Sequence, residues 1–112
     1  MKKIPFEKTE KIKKLNDELR QTLGPRCYIT SGVSQLDWPT KALILQKVLN
    51  YKDFNKGNDP YGEHDFGSFE AAGHNIFWKI DYYDKENLRL SEDPADPEKT
   101  NRVLTILLAK EY

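Results

Sequence analysis

Apolar residues near the start of the chain recur at the spacing of an amphipathic helix. Four of them follow one another at intervals of three or four residues: Ile12, Leu15, Leu19 and Leu23. A helix places these four side chains on one face, against a core. Because Gly24 and Pro25 then stop a helix, the pattern predicts a helix over residues 6–23, with Pro5 in its first turn.

A second helix is predicted over residues 40–50. Its entry is Asp37-Trp38-Pro39-Thr40, where proline suits the first turn. One apolar stripe is expected on this helix, with three further apolar residues beside it: Trp38, Ala42, Leu45 and Leu49, then Ile44, Val48 and Tyr51. A strand is the weaker alternative, because the intervening polar residues do not alternate with the apolar ones.

Short β-rich runs predict four strands. Residues 27–30 form one strand, and residues 66–71 and 75–83 form a hairpin. Both faces of 75–83 carry apolar bulk, which indicates a central strand covered on both sides or partly under a helix. Residues 102–109 favour a strand because three of them are β-branched or Thr, although a helix-start signal before them leaves a terminal helix open.

Together these elements predict an α+β fold, with two helices packed on a mainly antiparallel sheet of about four strands. The 112 residues suit a single domain over 1–112, in which an N-terminal helix (1–24) precedes the region 27–112. A lone cysteine, Cys27, excludes an intrachain disulfide, and it is expected to be a core residue rather than a nucleophile. No apolar run suits a membrane span or a secretory signal, so we expect a cytoplasmic protein.

Charge is balanced over the whole chain but not along it. Residues 1–23 carry seven basic and four acidic residues, whereas residues 53–98 carry four basic and twelve acidic residues, a net charge of −8. The acidic middle could mimic nucleic acid towards a basic protein. It could equally complement the basic surfaces of the same fold. Direct nucleic-acid binding is not favoured, because the aromatics of 66–83 are expected in the core and lie among acids.

The densest group of reactive side chains is the sequence NDPYGEHDFG, residues 58–67. It contains one histidine and three carboxylates: Asp59, Glu63, His64 and Asp65. Histidine can transfer protons near neutral pH, and carboxylates can orient it or join it in binding a metal. The alternative is structural, since Asp59-Pro60-Tyr61-Gly62 is a credible turn and consecutive residues of an extended chain point to opposite sides.

Two further charged residues alternate along the predicted strand 75–83. Lys79 and Asp81 share one face there, and the partner strand begins just after His64, so the three side chains could meet. Such a group would suit hydrolysis, with Lys79 or Arg102 holding an anion. The alternative is a simple ion pair on a polar sheet face.

Four sequence blocks resemble one family of small bacterial proteins of unknown function. These are NDPYGEHDFG, FWKIDYYD, SEDPADP and the run from Thr100 into VLTILLA. Genes of this family are often found on plasmids and integrative elements, so the resemblance implies a role in blunting host defences or adjusting transfer. It also marks ten positions to test: Asp59, Gly62, Glu63, His64, Asp65, Lys79, Asp81, Asp93, Asp96 and Arg102.

Two functional hypotheses follow. The first is a non-catalytic module that binds a protein partner, such as a host defence or nucleic-acid-processing complex, with Asp93 and Asp96 in the contact. The second is a small phosphoester or amide hydrolase, in which His64, Asp65 and Asp81 are catalytic. The sequence identifies no cofactor and leaves metal binding and oligomeric state open.

Overall fold

A computed structural model of the chain describes residues 6–112. Three α-helices, four strands and one 3-10 turn follow in the order α1 (Phe6–Thr22), β1 (Cys27–Ile29), α2 (Ser31–Ser34), α3 (Trp38–Leu49), β2 (Phe66–Ala71), β3 (His74–Tyr83), β4 (Asn101–Leu108) and a turn at Ala109–Glu111. The predictions for residues 1–5, including Pro5 in the first turn, lie outside the described residues.

The four strands form one sheet in the order β1-β4-β3-β2. The short edge strand β1 runs parallel to β4, and the other two pairings are antiparallel. The predicted α+β fold and mainly antiparallel sheet are therefore confirmed, and residues 102–109 are mostly strand rather than helix. Between β2 and β3, Ala72 and Gly73 have φ angles of +50° and +83°, as a two-residue type I′ hairpin turn requires.

The register divides the sheet into two unlike faces. One face carries large buried side chains, which pack against the helices: Ile76, Trp78, Ile80, Leu104, Ile106, and from the helices Val33, Ile44 and Val48. We call this the covered face. The alternate residues, among them Phe77, Lys79 and Asp81, lie on the opposite face, which no helix of residues 6–112 covers. We call it the open face.

The apolar stripes of the helices differ from those predicted. In α1 the buried residues are Ile12, Asn16 and Arg20, so two polar side chains point inward where leucines were expected. Leu19 and Leu23 do pack against the core, but only partly buried.

The stripe predicted on α3 is wrong at its start. Trp38 is 69% exposed, whereas Thr40, Ile44 and Val48 are the buried residues of this helix. The predicted entry is confirmed, because the Asp37 side chain accepts a hydrogen bond from the backbone N–H of Thr40 at 2.8 Å. The four-residue helix α2 was not predicted, because one turn is too short to show a periodicity.

Candidate functional site

The NDPYGEHDFG segment forms a tight loop that Asp59 holds closed. One oxygen of Asp59, Oδ1, accepts hydrogen bonds from the backbone N–H groups of Glu63 (3.0 Å) and His64 (3.1 Å). Gly62 and His64 take the left-handed conformation, with φ of +70° and +55°. We call residues 53–65 the motif loop. Its backbone turns the side chains of Glu63 and His64 towards α1.

The ring of His64 lies between two carboxylates and against an aromatic ring. Its Nδ1 lies 2.9 Å from Oδ1 of Asp17 on α1, and its Nε2 lies 3.7 Å from Oδ2 of Asp59. The ring stacks on Phe54, with 3.7 Å between centroids. Both ring nitrogens thus face carboxylates of the same chain, which leaves the imidazole poorly placed to act on an external substrate.

Asp17 also connects His64 to a buried arginine. Arg20, 2% exposed, donates to Asp17 at 3.0 Å. The same guanidinium donates to the backbone carbonyls of Val48, Leu49 and Tyr51 at 3.1–3.2 Å, where α3 ends. The Val48 carbonyl also accepts the N–H of Tyr51 at 3.3 Å, so Arg20 adds to the hydrogen bonds at this helix end and connects α1 to α3.

A second buried group joins α1, the motif loop and the sheet. Asn16, fully buried, donates to the Glu63 carbonyl at 3.0 Å and to the Tyr82 hydroxyl at 2.8 Å. The Tyr82 hydroxyl in turn donates to the Glu63 carboxylate at 2.7 Å. Burial and the neighbouring Glu63 charge raise the pKa of Tyr82, so its hydroxyl keeps its proton.

Arg102 belongs to this same group rather than to an anion site. Its Nε donates to Oδ1 of Asn16 at 2.8 Å, and its Nη2 donates to the carbonyl of Pro94. The guanidinium lies 5.3 Å from the Tyr82 ring centroid, and the side chain is 8% exposed. Burial lowers the pKa of Arg102, and the Glu63 charge opposes that effect. The buried cation thereby has an internal counter-charge.

The predicted meeting of His64 with Lys79 and Asp81 is wrong. Lys79 and Asp81 form an ion pair at 2.8 Å on the open face. His64 stacks on Phe54, which contacts Trp78 on the covered face. Because neighbours along a strand point to opposite sides, the sheet itself separates the histidine from the pair.

Within residues 6–112, Asp65 is the one carboxylate of the motif that has no side-chain partner. Its backbone carbonyl accepts the N–H of Ile80 at 2.9 Å, which extends the β2–β3 ladder. Desolvation, then the charge of Glu63, raises the pKa of Asp65 to about 6. A pKa of about 6 suits acid–base chemistry near neutral pH, as the prediction of Asp65 as a catalytic residue requires.

The second acidic segment, residues 84–99, is held differently. Asp93 accepts the N–H of Ala95 at 3.2 Å and lies 3.4 Å from Nζ of Lys8, while Asp96 accepts the N–H of Glu98 at 2.9 Å. Asp93 and Asp96 thus fix the backbone of the loop, and both remain partly exposed. We call residues 84–99 the outer loop.

The outer loop displays other side chains to solvent. Leu88 and Leu90 are 79% and 74% exposed. The Asp84 carboxylate accepts the N–H groups of Glu86 (3.2 Å) and Leu88 (3.0 Å), so the backbone beneath the exposed leucine is ordered. Three glutamates of this loop are exposed as well: Glu86, Glu92 and Glu98.

Five residues that complete the two buried hydrogen-bonded groups were not predicted from the sequence. They come from α1, from the motif loop and from β3: Asn16, Asp17, Arg20, Phe54 and Tyr82. One signal was available. Asn16 and Arg20 follow Ile12 at successive intervals of four residues, so they lie on the same helix face as Ile12. Polar side chains on a buried face need hydrogen-bond partners, which predicts buried polar contacts at this place.

Cys27 is a free cysteine, partly buried against the core, as predicted. Burial raises the pKa of its thiol, which disfavours the nucleophilic thiolate. Within residues 6–112, no three His, Cys, Asp or Glu side chains are placed to hold a metal ion. Over the same residues, no helix has the length and apolar character needed to cross a membrane.

The fold and this site define a small two-layer α+β protein whose central charged motif is bound up in contacts within the chain. The chain belongs to a family described as protein of unknown function (DUF3768), whose family model matches residues 29–111. The matched region includes both acidic loops and three of the strands in full. No curated protein and no solved structure matches the chain.

Proposed function

We propose that this chain is a non-catalytic module that binds a protein partner through its outer loop. The observation that supports the proposal is that most of the reactive side chains of the motif bind other groups of the same chain and are not open to a substrate. His64, Glu63 and Arg102 are all engaged by partners within the chain. A catalytic group needs access to a substrate, whereas these three groups connect α1, the motif loop and the sheet.

The outer loop has the properties of a binding surface. Exposed large apolar side chains on an ordered backbone can enter a partner's apolar pocket with little loss of conformational freedom. Leu88 and Leu90 satisfy that description. The loop carries six acidic and three basic residues, so the complementary partner is a protein with a basic surface around an apolar pocket.

A basic partner surface is typical of proteins that process nucleic acid. The proposed partner class is therefore a bacterial nucleic-acid-processing or defence complex, which the chain would inhibit by occupying its nucleic-acid site. The resemblance to genes of mobile elements agrees with such a role. Binding of this kind weakens with salt, since exposed charges are screened within about 10 Å at 0.1 M ionic strength.

The experiment is photo-crosslinking in lysate of a bacterium that carries the gene, with the crosslinker placed at Glu92. The wild-type chain is compared with Leu88→Asp and with the matched control Trp38→Asp, which alters an equally exposed side chain on α3. We expect one basic protein to be crosslinked by wild type and by the control, and its yield to fall at least fivefold with Leu88→Asp. Equal crosslinking by all three chains would contradict the proposal.

A second candidate is a small hydrolase in which Asp65 is the general base. The raised pKa of Asp65, about 6, together with its lack of a side-chain partner within residues 6–112, is the observation in its favour. An assay on phosphoester and amide substrates tests it. Turnover that Asp65→Asn abolishes, while the melting temperature does not fall, would support the hydrolase and contradict the binding module.

A further inference from the structure

The sheet leaves one broad face without a covering layer. Across its centre, one row of side chains runs from β1 to β2: Tyr28, Thr105, Lys79 and Phe66. The next row places Leu107 beside Phe77. In the two-layer architecture the helices α1 and α3 pack on the opposite face, whereas on this face only the chain end lies over part of the surface: Tyr112 contacts Phe66 and Phe77, and Leu107 is 5% exposed.

The composition of this face is that of an interface. Phe66 and Phe77 pack edge to face at 5.2 Å between centroids, and Tyr112 lies edge-on to both. Tyr28, beside them on β1, is 55% exposed. Interfaces are enriched in such aromatics. The charges at the centre of the open face are Lys79 and Asp81, which pair with each other at 2.8 Å.

We propose that the open face binds the open face of a second copy of this chain, which forms a two-fold symmetric dimer. The charges favour this occupant. At its centre the face presents one cation and one anion side by side, and Glu70 lies further along β2, so a two-fold axis near the centre brings Lys79 of each copy to Asp81 of the other. A two-fold interface uses the same patch on both copies and requires such self-complementarity. A strongly charged partner would gain nothing from a neutral pair.

The size of the face fits a weak dimer. Its strands are three, six, ten and eight residues long, and they cover a projected area on the order of 400 Å² at about 3.3 Å per residue and 4.8 Å per strand. Protruding side chains raise the accessible area above that value. Specific interfaces begin at about 600 Å² per partner, so this face is close to the lower size limit and we expect only weak association.

The dimer is independent of the outer-loop proposal. Leu90 pairs with Tyr83 at the end of β3, about 13 Å along the strand from Lys79. The loop therefore lies at the rim of the proposed interface and remains open to a partner. Leu88→Asp is expected to leave self-association unchanged, so failure of one proposal does not imply failure of the other.

Charge exchange on the face tests the proposal directly. Sedimentation equilibrium of the purified chain from about 5 to 500 μM is expected to show a monomer–dimer equilibrium. Lys79→Glu makes the face acidic, and Asp81→Lys makes it basic, so each variant alone is expected to associate at least tenfold more weakly. An equimolar mixture of the two variants is expected to recover association, because each supplies the charge that the other needs.

Three results would overturn the dimer. The first is a wild-type chain that remains monomeric up to about 500 μM. The second is a Lys79→Glu or Asp81→Lys variant that associates as strongly as wild type. The third is loss of association by Trp38→Asp, which alters an exposed side chain on α3, the helix that packs on the covered face. Circular dichroism of each variant, compared with wild type, establishes that the variants are folded, since Lys79 and Asp81 are both partly exposed and lie outside the covered core.

Discussion

The motif loop and the outer loop are both acidic and both connect to the sheet, yet they use their side chains in opposite ways. In the motif loop, Asp59 and Glu63 are each 9% exposed, and their oxygens accept hydrogen bonds from the chain itself. In the outer loop, aspartates bind only nearby backbone and one lysine, while leucines and glutamates face solvent.

The reason for the difference is the neighbour of each loop. The motif loop passes beside α1, where buried Asn16 donates to the Glu63 carbonyl and partly exposed Asp17 contacts His64, and beside β3, where Tyr82 donates to the Glu63 carboxylate. A carboxylate at that position must be paired, because an unpaired buried charge is costly. In the outer loop, Asp93 pairs with Lys8 of α1, whereas the three glutamates are exposed to solvent. A dense group of reactive residues is therefore evidence of function only where it lacks such partners.

The largest effect on stability should come from replacing Asn16, which hydrogen-bonds to the motif loop, β3 and β4. Asn16→Leu deletes the acceptor of Arg102 and the donor to Glu63 and Tyr82, leaving several buried polar groups unpaired. We expect a loss of about 3–5 kcal/mol in the free energy of unfolding. Urea unfolding followed by circular dichroism measures it. A change below 1 kcal/mol would mean that the network contributes little to the fold.

Gly67, the last residue of the motif, should tolerate no side chain. A Cβ there would lie 2.7 Å from Cζ of Tyr51 and closer still to the indole of Trp78, both of which are buried in the core. Gly67→Ala is expected to cost about 2–3 kcal/mol. The matched control is Gly57→Ala in the same region, where the nearest atom belongs to an exposed asparagine side chain. Equal thermal stability of the two variants would contradict this packing.

Asp65 should make stability depend on pH in an unusual direction. Its folded-state pKa is raised to about 6, above the unfolded value near 4, so the folded state binds the proton more tightly. Its contribution to stability is therefore present below pH 4 and is lost as pH rises through 6.

The test of this pH effect is Asp65→Asn. At pH 7.5 the variant should exceed wild type by about 1 kcal/mol, allowing for the screening of a part-exposed group, and the difference should vanish at pH 4. Glu70→Gln, an exposed substitution on β2, is the control and should show no such crossover. A wild-type advantage at pH 7.5 would show that ionised Asp65 has a stabilising partner.

The smallest effect on stability is expected in the outer loop. Leu88→Asp removes a side chain that is 79% exposed and should change the free energy of unfolding by less than about 0.5 kcal/mol. Thermal unfolding measures this directly. A loss above 1.5 kcal/mol would mean that Leu88 packs within the fold, and the outer loop would then resemble the motif loop.

The sequence predicted the elements better than it predicted their contacts. Helical periodicity located α1 and α3, and β-rich runs bounded by turn residues located the four strands, because both signals are local. It could not show that Asn16 and Arg20 replace leucines on the buried face of α1, since polar residues there become favourable only once distant partners are in place.

The candidate site shows the same limit. The motif was correctly located as a loop, but His64 was expected near Lys79 and Asp81, which lie across the sheet from it. The positive φ of His64 turns its ring towards α1, and no local pattern predicts that conformation for a non-glycine residue. Phe66 and Phe77 were likewise expected in the core, whereas the register places them on the open face.

The most direct test of the central claim is the melting temperature of two matched variants, Glu63→Ala in the motif loop and Glu92→Ala in the outer loop. Loss of Glu63 leaves Tyr82 without its acceptor and Arg102 without its nearby charge. We expect its melting temperature to fall by about 8–12 °C, which corresponds to about 2–3 kcal/mol, and that of Glu92→Ala to change by less than 2 °C. Equal shifts in the two variants would contradict the claim that the motif loop serves the fold and the outer loop serves binding.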